Sequence, residues 1–504
     1  MAGIGFTLKK MFKDETFSHR SKAYLYSALV AAGPWIAAVI TVNLIMFIMD
    51  FFLDASAEKD LFMGTIVYSF VFSQIITAPW QLLITRYISD KLYTQEYDFI
   101  RPSFAGLNKI VFISGFIVSI LFYLNKPIPL YYKLMSTYLF VIISMIWILM
   151  VYLSAVKNYE LIAKAYIYGG LLSVGLTILF MLKPLPFPTF NLVSNLLLAY
   201  LIGMSLTYLM LIYNFLATFY FGNNLEFDFI RNLNKFPSLF YIGLFYTLGL
   251  WVDDILMWFS IAGVDVYDTY LYAPIYDNAV FLAYLTIIPS MVLFLVSVET
   301  EFYDHYKKYY GLANEQGTFE EIDIAKKEMK ESIYRQLLHT FEIQALLSVT
   351  IVLLSPIIFN YLNISIIIRN IFRITTFGAL FNIFVLLIIL VLLYFEVRKR
   401  AVFISIVFFI GNLVFTSYYS KLGIEYYGYG FLFGSLFALL IALITLTSFM
   451  RKINYTTFAL QPLFVQKEQG IFILLADKLN DYQERKNQTR KQTITQDTKV
   501  ELPM

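Results

Sequence analysis

The chain contains no cysteine and only three histidines in 504 residues. Without cysteine there can be no disulfide, thiolate zinc site, iron–sulfur cluster or cysteine nucleophile. His19, His305 and His339 all lie in polar segments, which argues against a histidine-dependent enzyme inside a membrane. The phosphate-binding motif G-x-x-x-x-G-K-[ST] is also missing, so ATP hydrolysis by that route is excluded. We therefore expect a protein that is not an enzyme, with no catalytic residues, no metal site and no cofactor.

Charged residues are scarce as well. They make up 14% of the chain, whereas hydrophobic residues make up 59% and the mean hydropathy is +0.68. A soluble domain carries about 25% charged residues. So much apolar surface cannot be buried inside a water-soluble globule, and the solvent must be lipid. The net charge of +3 is too small to indicate nucleic acid as a partner.

Long apolar runs are the main feature that is present. A helix that crosses the hydrocarbon layer needs about 20 mostly apolar residues. The sequence contains twelve such runs, at 23–50, 61–87, 106–124, 134–156, 165–182, 191–220, 237–261, 272–298, 341–360, 371–395, 402–420 and 429–450. These runs predict an all-α integral membrane protein with about twelve transmembrane helices.

The distribution of lysine and arginine predicts the orientation. With the N-terminus in the cytoplasm, the inner segments hold 31 of the 38 basic residues and the outer connections hold seven. Basic residues concentrate on the cytoplasmic side of membrane proteins. We therefore expect a multi-pass protein of the plasma membrane with both termini in the cytoplasm. Every outer connection is short, so no external domain is expected.

A polar stretch divides the spans into six and six. This division is typical of transporters built from two related bundles, with the substrate path between them. The predicted units are a cytoplasmic amphipathic N-terminus, an N-terminal six-helix half, a cytoplasmic linker, a C-terminal six-helix half that contains a cytoplasmic loop at 299–340, and a cytoplasmic tail. Their ranges are 1–22, 23–220, 221–236, 237–450 and 451–504.

The 299–340 loop contains an amphipathic helix signal. Thr318 followed by Glu321 is a capping-box pattern, and apolar residues then recur on one face. That face has no membrane span of its own to pack against, so it either lies on lipid or docks another protein. Docking is the favoured interpretation, with Met329 and Ile333 as the candidate contact residues.

Acidic and aromatic residues concentrate in the seventh and eighth spans. Ionisable residues at membrane depth are costly and usually face a cavity or a partner. Trp251 and Asp254 fall on one helical face, and Asp253 points about 100° away. Aromatic faces beside carboxylates suit sugar rings and their hydroxyls. The candidates for a substrate path are Trp251, Asp253, Asp254, Tyr276, Asp277 and Tyr284.

Other interpretations of these residues remain open. The aromatic residues could form a belt at the outer interface, with the carboxylates reaching water or pairing with Arg369 or Arg373. The adjacent aspartates could also indicate a metal-dependent sugar-phosphate transferase, but they lack the cytoplasmic placement that such an enzyme needs. Gly428, Gly430 and Gly434 have the wrong spacing for a dinucleotide site and indicate close helix packing.

Several short motifs carry a family resemblance. They are Met1 to Phe6, Gly33-Pro34-Trp35, Gly249 to Asp253, Tyr272 to Asp277, Phe281 to Pro289 and Gly428 to Phe431. Together they resemble the PelG family, the membrane transporters of Pel exopolysaccharide systems, over about residues 1–465. Members of this family commonly carry a basic residue where this chain has Asp254. That departure makes Asp253 and Asp277 the stronger candidates.

The resemblance implies a bacterial transporter related to the polysaccharide flippases of the MOP superfamily, with a MATE-like arrangement of helices. It implies export of an N-acetylgalactosamine-rich polymer in biofilm formation. It also implies assembly with the glycosyltransferase PelF, the cyclic-di-GMP receptor PelD and the accessory protein PelE.

Three other functions stay open. A lipid-linked oligosaccharide flippase would need a positively charged cavity for a pyrophosphate, and the charges at membrane depth here are mostly acidic. A cation-coupled multidrug extruder would also use buried carboxylates. A membrane scaffold that only docks the glycosyltransferase would need little more than the 299–340 loop.

Overall fold

A computed structural model of the chain describes residues 17–52, 56–155, 159–219, 225–297, 301–314, 317–459, 470–483 and 485. The fold below concerns these residues. Most of the predicted amphipathic N-terminus, and the end of the tail after residue 485, lie outside them.

Twelve helical segments of the described chain are long and apolar enough to cross a membrane, as the sequence predicts. Eleven of them are single helices and one is broken in two. The helices are α1 (Phe17–Phe52), α2 (Ser56–Tyr93), α3 (Ile100–Tyr123), α4 (Leu130–Ala155), α5 (Tyr159–Leu182), α6 (Asn191–Thr218), α7 (Pro237–Trp258), α8 (Pro274–Leu285), α9 (Ile288–Ser297), α10 (Tyr303–Asn314), α11 (Phe319–Tyr361), α12 (Ile366–Tyr394), α13 (Arg398–Tyr419) and α14 (Tyr429–Arg451). A short helix, Arg231–Lys235, precedes α7, and α15 (Ile453–Ala459) follows α14.

The eighth span is the broken one. α8 ends at Leu285 and α9 begins at Ile288, beside Pro289, which has no backbone N–H to continue the helix. The Gln344 side chain of α11 donates to the Thr286 carbonyl oxygen at 2.9 Å, and Ser290 donates to the Gln344 side-chain oxygen at 2.5 Å. Backbone groups in lipid must find partners within the protein, so this buried amide makes the break tolerable.

The segment predicted as the 299–340 loop is helical over most of its length. α10 and the first half of α11 form an antiparallel pair, and α11 runs without interruption into the ninth span. The capping box at its start is confirmed, because Thr318 and Glu321 bond to each other's backbone and side chain. Met329 and Ile333 are buried within the chain. They do not form the free docking face expected from the sequence, because α11 packs against other helices of the same chain, including α10.

The packing of the helices repeats after six spans. In the first half, α1 packs on α5, α5 on α6, and α4 on both α2 and α6. In the second half, α7 packs on α13, α13 on α14, and α12 on both α8 and α14. The two halves meet where α2 packs on α7 and α1 packs on α9. The fold therefore consists of two related six-helix bundles, as predicted.

Glycines allow the closest of these approaches. A Cβ atom added to Gly434 of α14 would lie 2.7 Å from the Asn412 Cα atom of α13, and Gly430 faces Thr416 in the same way. This contact confirms that Gly430 and Gly434 serve close helix packing.

Between α7 and α8 the chain forms a small β-hairpin that the sequence analysis missed. Strand β1 (Val264–Val266) pairs antiparallel with β2 (Tyr270–Tyr272), with Val266 opposite Tyr270. The turn places Tyr267 and Asp268 at φ values of 52° and 48°. Positive φ at both central residues matches the twist of a hairpin. We call the membrane side that carries this turn the hairpin face. The other side, which carries α10 and the helical residues 471–483, is the tail face.

Candidate functional site

The Asp253 carboxylate lies inside the second half and is held by neutral donors. Tyr276 of α8 donates its hydroxyl hydrogen to one carboxylate oxygen at 2.7 Å. The side-chain amide of Asn412 on α13 donates to the other oxygen at 2.8 Å and to the Gly249 carbonyl oxygen at 2.9 Å. Thr416 donates to the Asn412 side-chain oxygen at 2.9 Å. Asp253 is fully buried, so these donors replace the water that it loses.

Asp254 and Asp277 form a contact between two acidic side chains, next to the buried Asp253. The Trp258 indole N–H donates to the two Asp277 oxygens at 3.3 and 3.2 Å, and the Ala273 backbone N–H donates to one of them at 3.2 Å. The Asp254 side chain is buried and lies within hydrogen-bonding reach of Asp277. A carboxylate only accepts hydrogen bonds, so a bond between two carboxyl groups requires a proton on one of them.

Trp251 points in a different direction, towards the first half. Its indole N–H donates to the Gln74 side-chain oxygen of α2 at 2.8 Å. Further along α7, the Trp258 ring stacks on the Tyr68 ring of α2, with centroids 4.8 Å apart. Indole rings and a side-chain amide therefore line the contact between the two halves.

Tyr276 and Tyr284 face the interior of the second half. Tyr276 is fully buried. The Tyr284 ring packs on Phe431 of α14 at 5.8 Å, and its hydroxyl is buried with no hydrogen-bond partner among the described residues. The side-chain nitrogen of Asn382 on α12 is likewise buried without a described partner. The helices thus enclose polar atoms that the described protein groups do not satisfy.

The structure therefore brings the six predicted residues into one region but divides them. Trp251 faces the boundary between the halves, and Asp253, Tyr276 and Tyr284 face into the second half. The interpretation that Arg369 or Arg373 pairs with the aspartates is not supported, because no ion pair within the described residues joins them.

Sequence reasoning missed the partners of these residues. Gln74, Asn382 and Asn412 are amide side chains inside apolar spans. A polar side chain surrounded by apolar residues was the sequence signal that could have identified them as hydrogen-bond partners. Neither residues 60–85 of α2 nor any part of α7 contains lysine or arginine. Within the described chain, no group of histidine, aspartate or glutamate side chains is placed to hold a metal ion. In these stretches the boundary between the halves is consequently aromatic and free of basic residues, and Asp253 and Asp254 lie behind it.

Comparison with known sequences identifies one family. The sequence model of the family described as "PelG: Putative exopolysaccharide Exporter (EPS-E)" matches residues 1–458. No curated protein sequence matches the chain.

Solved structures with the same fold are transporters. A multidrug resistance MATE family transporter of the MOP superfamily, in its outward-facing conformation, is 12% identical with a TM-score of 0.60, and the match covers 86% of this chain and 97% of that one. A MOP superfamily transporter from Pyrococcus furiosus is 12% identical with a TM-score of 0.59, covering 86% and 96%. The Vibrio cholerae MATE transporter VcmN, in its bent form, is 11% identical with a TM-score of 0.58, covering 89% and 98%. At these identities the likeness concerns the fold.

Proposed function

The chain belongs to the PelG family of exopolysaccharide exporters, and from this premise we propose that it moves a Pel-type, N-acetylgalactosamine-rich polysaccharide across the bacterial cytoplasmic membrane. In this proposal the polymer passes between the two six-helix halves. The chain would be the transporter subunit of a synthase complex that also contains PelF, PelD and PelE. Both termini would lie in the cytoplasm, as the excess of basic residues on that side favours.

The observation that carries the proposal is the chemistry of the boundary between α2 and α7. Trp251 contacts Gln74 there, and Trp258 stacks on Tyr68. Aromatic rings offer flat apolar surface to the C–H faces of sugars, and amides exchange hydrogen bonds with hydroxyl and acetamido groups. A hydrated polymer needs such partners inside a layer of low dielectric constant.

The same boundary disfavours a lipid-linked oligosaccharide flippase. A pyrophosphate needs cationic partners, which arginine and lysine supply best. The facing stretches of α2 and α7 contain neither residue.

A cation-coupled transporter is the second candidate function, and one specific observation favours it. Buried Asp254 and half-buried Asp277 lie together without a basic partner among the described residues. Such a pair has to keep a proton or take up a cation, which is what coupling to an ion gradient requires. Coupled export of the polymer would combine both candidates.

Transport into liposomes tests the proposal. Purified protein is reconstituted, and entry of a defined, labelled galactosaminan is followed with and without a proton gradient. We expect Trp251→Ala to reduce the uptake strongly because it removes the aromatic surface at the boundary. Phe116→Ala is the matched control, since Phe116 is exposed on the outside of α3. Equal uptake by both variants, or none by the wild-type chain, would contradict the proposed path. Absence of uptake, with PelF still held at the membrane, would favour the alternative that the chain is a membrane scaffold that only docks the glycosyltransferase.

A further inference from the structure

The hairpin between α7 and α8 belongs to the second half but rests on the first. Tyr270 is fully buried. Its hydroxyl hydrogen-bonds with the Tyr123 hydroxyl of α3 at 2.7 Å and accepts from Thr65 of α2 at 3.2 Å. Burial raises the pKa of Tyr270, so its phenol remains a neutral hydrogen-bonding group. Gly64 leaves room for this side chain, because a Cβ atom added there would lie 3.0 Å from the Tyr270 Cβ atom.

Tyr68 of α2 binds the outer edge of strand β2. Its hydroxyl donates to the Leu271 carbonyl oxygen at 2.8 Å and accepts from the Leu271 N–H at 3.1 Å. One phenol thus satisfies both backbone groups that a neighbouring strand would otherwise pair with. If the hairpin moved away from α2, these partly buried groups would need water or another partner.

The turn and the ends of the hairpin are held from the same side. Lys126, between α3 and α4, donates to the Asp268 carbonyl oxygen at 3.0 Å, and Tyr272 donates to Asp60 of α2. The Tyr267 ring packs edge-on against Phe190 at 4.8 Å. Tyr267 and Asp268 have positive φ values. Residues other than glycine keep such a backbone conformation only when the surrounding structure holds them in it.

On the tail face the halves meet through half-exposed charged contacts and through the edge-on packing of Trp80 on Phe240 at 5.5 Å. Arg86 of α2 pairs with Glu396, between α12 and α13, and these side chains are 38% and 45% exposed. Arg86 and Arg398 also lie over the Phe236 ring, at 5.1 and 4.4 Å. Half-exposed ion pairs contribute little, because water competes for both charges. Buried hydrogen bonds on the hairpin face are costlier to break, because their groups lose partners in a dry environment.

We propose that the hairpin is a latch, which holds the two halves together on the hairpin face so that the tail face opens first. The inference rests on the proposed transport function, because a latch is needed only where the halves separate. It assigns Tyr68, Tyr270 and Tyr123 to the control of opening. Tyr68 also belongs to the proposed polymer path through its stack with Trp258, whereas neither Tyr270 nor Tyr123 is required to touch the polymer.

A cysteine reporter tests the latch without any polymer. The chain has no native cysteine, so Ser69→Cys, one helical turn deeper than Thr65, provides a single thiol beneath the hairpin. We expect slow labelling by a membrane-impermeant reagent added on the hairpin face. Adding Tyr68→Phe should speed the labelling about tenfold, since two partly buried backbone groups of Leu271 lose their partner. Tyr270→Phe should act in the same direction.

The control is Tyr131→Phe. Tyr131 lies near the same face, but among the described residues its hydroxyl bonds only to Thr189 of the first half. Its removal should leave the labelling rate unchanged. Thermal melting of each variant confirms that the labelled protein is folded. Unchanged labelling in folded Tyr68→Phe and Tyr270→Phe, or an equal increase in the control, would overturn the latch.

A disulfide provides the second arm. Gly64→Cys with Tyr270→Cys places two thiols close enough to bridge the halves. We expect the oxidised form to lose transport and the reduced form to regain it. Full transport by fully cross-linked protein would also overturn the latch. Absence of transport in all forms, with accelerated labelling of Tyr68→Phe, would instead support the latch and count against the proposed polymer transport.

Discussion

The Asn412 side chain of α13 holds the buried Asp253 carboxylate of α7 across a distance of 2.8 Å. The same amide nitrogen binds the Gly249 carbonyl oxygen one turn earlier on α7. One amide therefore joins two spans and stabilises a charged group that no described lysine or arginine neutralises. Because Asp253 has no exposed surface, this contact is part of the interior of the second half rather than of an open path.

We expect Asn412→Ala to destabilise the protein by about 1 to 3 kcal/mol, because it leaves a buried carboxylate oxygen and a carbonyl oxygen without their donor. The midpoint of thermal unfolding in detergent is the measurement. Asn43→Ala is the control, since the Asn43 side chain bonds to its own helix on an exposed surface. Equal midpoints for the two variants would show that Asp253 does not depend on Asn412.

Replacement of Asp277 separates polar solvation from ion coupling. Asp277→Asn keeps an oxygen that can accept from Trp258 and removes the charge, so it should retain substantial export if the group only solvates the polymer. Asp277→Leu should abolish export. Secreted polymer per unit of membrane-inserted protein is the quantity to measure. If Asp277→Asn exported as little polymer as Asp277→Leu, the charge itself would be needed, as ion coupling requires. Full export by both variants would remove Asp277 from the transport mechanism.

Because Met329 is buried, a charged residue at that position should destabilise the fold rather than only release a bound partner. Met329→Asp should unfold the α10–α11 pair at a cost of about 3 kcal/mol or more, because it buries an unpaired charge. Reduced yield of folded protein and a lower melting temperature would show this effect. Ile324→Asp on the same helix is the control, as Ile324 is half exposed. Normal melting of Met329→Asp, combined with loss of a bound partner, would return this residue to a docking surface.

The orientation is tested by single cysteines. The excess of basic residues on the tail face predicts that a cysteine at Lys327 is labelled only from the cytoplasm and one at Lys126 only from outside. Membrane-impermeant reagents applied to intact cells and to inverted vesicles give the measurement. External labelling at Lys327 would reverse the orientation of both termini.

The number of spans could be predicted because it depends on length and hydrophobicity alone. Lipid requires about 20 apolar residues for each crossing, and this requirement is visible residue by residue. The ends of the helices could be predicted less well. α3 begins at Ile100 and α13 at Arg398, each several residues before its apolar run, because polar first turns extend beyond the hydrocarbon layer. The hairpin was missed because its three-residue strands lie between two spans, where the apolar pattern hides them.

The candidate site could be predicted in part. Asp253 and Asp277 stood out because charges inside spans are rare, and the different directions of Asp253 and Asp254 followed from helical geometry. Their partners did not follow, since Asn412 and Gln74 come close only through packing between distant helices. The prediction that Met329 lies on a free surface was wrong for the same reason, because the packing that buries it cannot be seen in the sequence. Its periodicity indicates an apolar face, but only the fold shows that the chain itself covers that face.

The uninterrupted course of α11 has a mechanical consequence. Forty-three residues make a rod of about 65 Å, twice the thickness of the hydrocarbon layer. Thr318 lies about 35 Å from the point near residue 341 where the ninth span begins. A tilt of roughly 10° about that pivot would swing the tip by about 6 Å, so the part outside the bilayer acts as a lever arm on the part within it. A force applied at α10 would therefore reach Gln344, at the break in the eighth span, through a single rigid element.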